Sequence, residues 1–262
     1  MLEGRKSELF YRYSYKGSPT VVFISGLGDG SESWDWIQKE IAVTASTLAY
    51  DRRGTGKSPA VTTPRSCREL VLELQGLLEA LAVQPPYILV GHSFGGLIAR
   101  LYAAYYPQDT SALVLVDAAA EFKEAAFDKI LPEQLRQENT AYLENPLLNS
   151  EKIDKLLSYR QVAEASLGEP ASIPLSVITR GLPDRQVADW PAGEILKAEQ
   201  RQQAGFLRLS TAARQRIARN SGHYIHCDEP EIVVEEIKHT IELTLTNIRS
   251  GTYERYKSTT NH

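Results

Sequence analysis

Ser93 stands in Gly91-His92-Ser93-Phe94-Gly95-Gly96, and its surroundings make it a candidate nucleophile. The run Tyr87-Ile88-Leu89-Val90 before it is rich in β-formers, and a helical pattern of Leu97, Ile98 and Leu101 begins at once after it. Gly-x-Ser-x-Gly between a strand and a helix is the setting in which that motif presents a serine for chemistry. To aim a side chain out of a strand's carboxyl edge, the backbone turns sharply and the serine takes strained dihedrals. Glycines at 91 and 95 remove the Cβ atoms that would collide with that turn. The following helix points its positive amide end at the serine. The plain alternative is an ordinary tight turn, because chance matches to the pattern are common.

A serine hydroxyl is a poor nucleophile until a neighbouring base takes its proton. His223 fits that role best: it follows Gly222, after the last short strand, downstream of both candidate acids. His92 adjoins the serine, and its ring is expected to lean away as the variable residue of the turn. His226 is one turn from His223 if that loop is helical, so it lines the site or packs beside it. His239 falls mid-helix and His262 in the tail. His223 and His226 form a His-x-x-His pair, but no third ligand stands at a known spacing, so no metal is expected.

Two carboxylates compete to orient the imidazole. Asp117 ends the apolar run Ala112 to Val116, where its side chain would be buried without a partner such as an imidazolium. Asp184 lies in Gly181-Leu182-Pro183-Asp184 with Arg180 and Arg185 nearby, where a solvated salt bridge is enough to explain it. Asp117 is preferred, with Asp184 kept as the alternative acid.

Two glycine motifs suggest nucleotides and fail. Gly26-Leu27-Gly28-Asp29-Gly30-Ser31 has serine where a dinucleotide fingerprint needs glycine. Gly56-Lys57-Ser58 resembles the end of a P-loop, but position 51 is aspartate and Pro59 discourages the helix that should follow. Asp51 and Arg52 read instead as residues that pin the loop beside the site. No cofactor is implied.

The elements that must position these residues alternate. Leu9 to Tyr15 reads as an antiparallel edge strand, and Thr20 to Ile24 as a central strand covered on both faces. A helix is expected from about Ser33 to Ala42 and a short strand at Thr47 to Tyr50. Leu70, Val71, Leu74, Leu77, Leu78 and Leu81 lie on one helical face. With strands at 87–90, 112–116 and 174–179, the pattern is βαβα, which predicts a doubly wound, mostly parallel sheet. Ligands sit at the carboxyl ends of such strands, where Gly26, Ser93 and Asp117 fall. A helix from about Ala192 to Leu209, a last short strand at Arg216 to Ala218 and a final helix from about Glu229 to Leu245 complete the core, the last with Asp228 and Glu231 as an N-cap pair.

The rhythm breaks over 118–172, helical and polar with scattered leucines, and too long for a simple connection. It reads as a helical cap over the carboxyl edge, or as a peripheral insertion with no part in binding. The organisation is therefore 1–117 and 173–249 as core, 118–172 as cap and 250–262 as a polar tail. Trp34, Trp36 and Phe94 suit an acyl or aryl pocket or the core equally well.

The 262 residues, 42% of them hydrophobic, are enough for one large α/β core and exclude wholesale disorder. A net charge of −4 with interspersed signs argues against nucleic acid as main partner. Cys67 and Cys227 make no disulfide framework, and no apolar run approaches a membrane span. A cytoplasmic protein without membrane contact, monomeric or homodimeric, is expected.

These motifs in this order resemble the α/β-hydrolase superfamily. Four carry the likeness: Ser25-Gly26-Leu27-Gly28, Asp51-Arg52-Arg53-Gly54-Thr55-Gly56-Lys57-Ser58, Gly91-His92-Ser93-Phe94-Gly95-Gly96 and Ser221-Gly222-His223. Together they cover about Val21 to Thr246. Ser25 replaces the histidine that usually precedes the loop glycine, and the family's first strand looks vestigial. The resemblance implies the order serine, acid, histidine, which Ser93, Asp117 or Asp184, and His223 follow. Most of the family carries its acid where Asp184 stands, and some small esterases where Asp117 stands. The backbone amides of Phe94 and Leu27 are the implied oxyanion donors, the bland reading of Gly26-Leu27-Gly28 being a tight turn. The implied activity is hydrolysis of small-molecule carboxylic esters through an acyl-enzyme, with Trp34, His92 and His226 as pocket candidates. Amidase, thioesterase or C–C bond hydrolase chemistry on the same triad is the alternative within enzymes, and a non-catalytic ligand receptor the alternative outside them.

Overall fold

A computed structural model describes residues 1–166, 171–184 and 190–251. The chain runs through β1 (Leu2–Lys6), β2 (Leu9–Ser14), β3 (Thr20–Ile24), α1 (Asp35–Ile41), β4 (Ser46–Tyr50), α2 (Cys67–Ala80), β5 (Tyr87–His92), α3 (Phe94–Tyr105) and β6 (Thr110–Val116). After these come α4 (Lys123–Phe127), α5 (Glu133–Glu144), α6 (Lys155–Ala165), β7 (Ala171–Arg180), α7 (Ala192–Gly205), β8 (Ser210–Ala218), α8 (Ile225–Asp228) and α9 (Pro230–Arg249). The strands form one sheet in the order β1-β2-β4-β3-β5-β6-β7-β8. The β1–β2 and β2–β4 pairings are antiparallel; from β4 to β8 the sheet is parallel. This is the doubly wound, mostly parallel sheet the sequence predicts.

Side-chain alternation divides the core between the two faces of the sheet. Val22, Ile24, Leu89 and Leu115 pack with α2, α3 and α6. Val21, Phe23, Val90 and Val114 pack with α1 and α9. The central strands β3 and β5 are buried at every residue. The apolar stripe of α2 is buried from Leu70 to Leu78, and the helix opens with a capping box between Ser66 and Glu69.

The amino-terminal strand is a correction. β1 pairs with β2 along its whole length, so Leu9–Ser14 is an internal strand and the edge lies at Leu2–Lys6. The strand is exposed at nearly every residue and carries no apolar alternation to reveal it. Its hairpin turn uses Ser7 and Glu8, both at positive φ, where Asn-Gly or Asp-Gly would have signalled a hairpin. The last strand also begins earlier than expected, at Ser210; Thr211 and Ala212 are exposed and Arg214 and Gln215 are polar, so no apolar run marks its first half. Glu229, not Asp228, stands at the N-cap of α9; the Asp228 carboxylate accepts from the Gly222 amide and the Ser221 hydroxyl instead.

Between β6 and β7 the chain forms α4, α5, a 3-10 turn at Pro146–Leu148 and α6. Helix α6 lies against α2 and α3, and Arg65 and Ile153 form an isolated parallel bridge that ties the segment to the core. Residues 167–170, at the end of this insertion, and 252–262, most of the tail with His262, lie outside the described residues.

Candidate active site

The elbow between β5 and α3 holds Ser93 at φ 51° and ψ −120°, a conformation that L-residues rarely adopt. The turn is tight enough that a Cβ on Gly91 would lie 2.5 Å from the Gly95 carbonyl oxygen. Backbone bonds lock it: the Ser93 amide donates to Val116 O at 3.1 Å, and the Ala119 amide donates to Ser93 O at 2.9 Å. These bonds join the end of β5 to the end of β6, where Asp117 also stands at positive φ, 39°. Two strained residues side by side at strand ends are a functional signature.

A continuous hydrogen-bond chain links the three polar side chains. Asp117 Oδ2 lies 2.6 Å from His223 Nδ1, and His223 Nε2 lies 3.0 Å from Ser93 Oγ. With the ring proton on Nδ1, bound to the carboxylate, the Nε2 lone pair faces the serine hydroxyl. Asp117 is 3% exposed; its other oxygen accepts from Gln203 Nε2 at 2.9 Å and from the Arg180 amide at 3.4 Å. Asp184 is not part of this chain. It is half exposed and bound to Arg180 Nη1. Arg180 also holds Glu199 at 2.5 Å and stands 3.5 Å from Asp117. Arg185 lies outside the described residues.

Phe94 is the first residue of α3, so its amide has no acceptor within the helix. Leu27 follows β3 on the adjacent loop, half-buried. Ser25, standing where histidine is usual, pins that loop by donating to Gly30 O at 2.9 Å and accepting the Trp34 indole N–H at 3.1 Å. Asp51 and Arg52 pin it further: Asp51 accepts the Ser31 amide at 2.6 Å, and Arg52 donates to the carbonyls of Ser25 and Gly26.

The expected pocket residues are a correction. Trp34, His92 and His226 are all buried, at 0%, 1% and 3% exposure. They cluster beside His223: His226 is stacked on Trp34 at 4.6 Å and tilted against His92 at 4.3 Å between ring centroids. The His92 ring, expected to lean away from the site, lies 4.7 Å from the His223 ring between centroids. Its Nε2 lies 3.0 Å from the backbone oxygen of His223, so it braces the base from behind. Phe94 is buried as well, and Trp36 is exposed. Sequence reasoning passed over Gln203 and Glu151, each a buried polar residue in an otherwise ordinary helical or loop stretch, with no local pattern to flag it.

Burial pushes the His226 imidazole down to about 4, with the neighbouring His223 pushing the same way. Burial likewise holds His92 well below the ordinary histidine range. The unfolded chain takes up these protons from the ordinary value of 6.5 downward, the folded His226 only near 4. Stability is therefore full above pH 6.5 and falls as pH drops toward 4. His226 alone accounts for about 2 kcal/mol lost between pH 7 and pH 5. Urea unfolding at both pH values should show this drop, and His226→Phe, which keeps a ring on Trp34, should shrink it by that amount. An unchanged drop in the variant would contradict the assignment.

Among the described residues no group of three or more His, Cys, Asp or Glu is placed to hold a metal ion, and no helix is long and apolar enough to cross a membrane. A hollow of about 1000 Å³ opens between α3 and α7, lined in part by Leu113, Leu175 and Phe206, but Ser93, Asp117 and His223 do not line it. The hydrogen-bond chain, not volume, marks the candidate site.

A family model for the alpha/beta hydrolase fold matches residues 19–156. YqjL of Bacillus subtilis strain 168 is 34% identical over 231 residues, covering 86% of this chain and 85% of that protein. RutD of Pseudomonas syringae pv. syringae, named as a carbamate hydrolase, is 34% identical over 110 residues, 42% of each chain. A thermophilic esterase from Thermogutta terrifontis superposes with a TM-score of 0.64 at 17% identity, over 93% of this chain and 98% of that one.

Proposed function

This chain belongs to the alpha/beta hydrolase fold family, and on that premise we propose that it is a serine hydrolase that cleaves carboxylic esters of small molecules. The observation that carries the reading is the chain from Asp117 through His223 to Ser93, with links of 2.6 and 3.0 Å, ending on a strained elbow. Ser93 Oγ attacks the ester carbonyl carbon while its proton passes to His223 Nε2. The new oxyanion sits between the Leu27 and Phe94 amides, in front of the positive end of α3. Collapse breaks the bond to the leaving alkoxide, which takes the proton back from Nε2 and departs as alcohol. Water then loses a proton to Nε2 and attacks the acyl-serine; the second collapse returns that proton to Ser93 Oγ and frees the acid. Asp117 stays ionised throughout and stabilises the imidazolium.

A fluorophosphonate probe should label the wild-type protein on Ser93 and leave Ser93→Ala unlabelled, and a p-nitrophenyl short-chain ester should turn over. Absence of both labelling and turnover would sink the proposal. The likeness to RutD favours one second reading, attack by the same serine on a carbamate carbonyl. Matched ester and carbamate substrates separate the two by kcat/KM.

A further inference from the structure

The segment between β6 and β7 returns to the core at Glu151, whose carboxylate reaches the loop after β3. Glu151 Oε1 accepts from Arg52 Nη2 at 2.8 Å and from the Gly28 amide at 2.8 Å; Oε2 accepts from Arg52 Nε at 2.7 Å. The guanidinium also donates to two loop carbonyls, Ser25 at 2.8 Å through Nη1 and Gly26 at 2.6 Å through Nη2. Both side chains are sealed from water, 1% and 0% exposed. Backbone bonds fix the segment in place: the Arg65 amide donates to Lys152 O at 2.8 Å and the Asp154 amide to Arg65 O at 2.7 Å.

In a trans peptide the carbonyl and the next N–H point in opposite directions. The cis bonds among the described residues are Ser18-Pro19 and Pro85-Pro86, so the peptide joining Gly26 to Leu27 is trans. A guanidinium that grips the Gly26 oxygen from the buried side therefore turns the Leu27 N–H to the open side. Glycine on each side of Leu27 resists a flip of these peptides only weakly, and the hold on the Gly26 oxygen from within the loop, the Asp29 amide at 3.3 Å, is longer than the 2.6 Å grip of Arg52. We propose that Arg52, oriented by Glu151, is the positioning residue that sets the Leu27 amide as an oxyanion donor, and that the β6–β7 insertion thereby supplies part of the oxyanion hole's framework. This rests on the serine-hydrolase reading. Lysine cannot replace Arg52, because one ammonium cannot serve Glu151 and both carbonyls from a fixed planar fork.

The test compares wild type, Arg52→Lys and Glu151→Gln in three measurements: p-nitrophenyl acetate kinetics, inhibition by an alkyl boronic acid whose serine adduct places an oxygen in the hole, and thermal unfolding. Folded Arg52→Lys should lose about 10²–10³-fold in kcat with KM within about threefold, and boronate affinity should weaken in parallel, as when one oxyanion donor is lost. Glu151→Gln, which keeps the shape but loosens the grip, should lose about tenfold in both. If Arg52→Lys does not fold, the Glu151→Gln result decides. Variants that keep kcat and boronate affinity within about threefold of wild type overturn the inference, as do variants whose kcat falls while boronate affinity holds. A wild type that shows neither labelling nor turnover refutes the hydrolase reading itself, whereas an active wild type with unaffected variants refutes only this role of Arg52.

Discussion

Asp117→Asn should lower kcat on a p-nitrophenyl ester by about 10⁴-fold, while Asp184→Asn should stay within about threefold of wild type. The first effect follows from the donors around the carboxylate. Gln203 Nε2 and the Arg180 amide both donate to Asp117 Oδ1. In the asparagine variant those donors hold the amide oxygen at that position, so the amide NH2 faces His223 Nδ1. The ring nitrogen must then accept, and its proton moves to Nε2, where it points at Ser93 and cannot take the serine proton. Shape and packing survive, so the variant should fold and bind substrate with little change in KM. Asp184 touches Arg180 half exposed to water; Arg180 keeps its more shielded partner Glu199 when Asp184 is neutralised. Large loss in Asp184→Asn together with a mild effect in Asp117→Asn would reverse the assignment of the acid.

What was legible in the sequence divides along physical lines. The sheet, its central strands and the α2 face were readable because burial marks the residues, as an unbroken apolar run in Val21 to Ile24 and as a helical period in Leu70 to Leu78. Ser93 and Asp117 were readable as candidates because each sits where an apolar strand gives way to a turn, and His223 because it follows Gly222 just before the last long helix. Edge strand β1 was not, since an exposed ladder is held by backbone bonds that need no apolar side chains. The true places of Trp34, His92 and His226 were hidden for another reason. An aromatic or histidine near the serine looks the same in sequence whether it lines the pocket or backs the base, and only packing separates the two. Glu151 was illegible because its meaning comes from Arg52, 99 residues earlier, and no local pattern records so distant an encounter.

Gly95→Ala and Gly76→Ala, the same chemical change in two helices, should move stability in opposite directions. A methyl on Gly95 would stand 2.2 Å from the Ile24 carbonyl oxygen and 2.6 Å from that of Ser25. Neither oxygen can move cheaply: Ile24 ends β3 in register with Gly91, and Ser25 O is gripped by Arg52. The start of α3 must back away from β3 or the loop must deform, which costs about 3 kcal/mol or more. Either movement also parts the Phe94 amide from the Leu27 amide and changes where Ser93 aims, so the loss in kcat should exceed what the unfolded fraction explains. Gly76 lies inside α2 with nothing within 4 Å of an added Cβ. Alanine there should add about 0.5–1 kcal/mol by restricting the unfolded chain and favouring the helix, with kcat unchanged. Urea denaturation of the pair at neutral pH, with ester turnover measured on the folded protein, reads both effects. Equal shifts in stability, or a Gly95→Ala protein within about 1 kcal/mol of wild type, would mean that the elbow does not need β3 and the loop so close, and that the two amides are not held as a preformed pair.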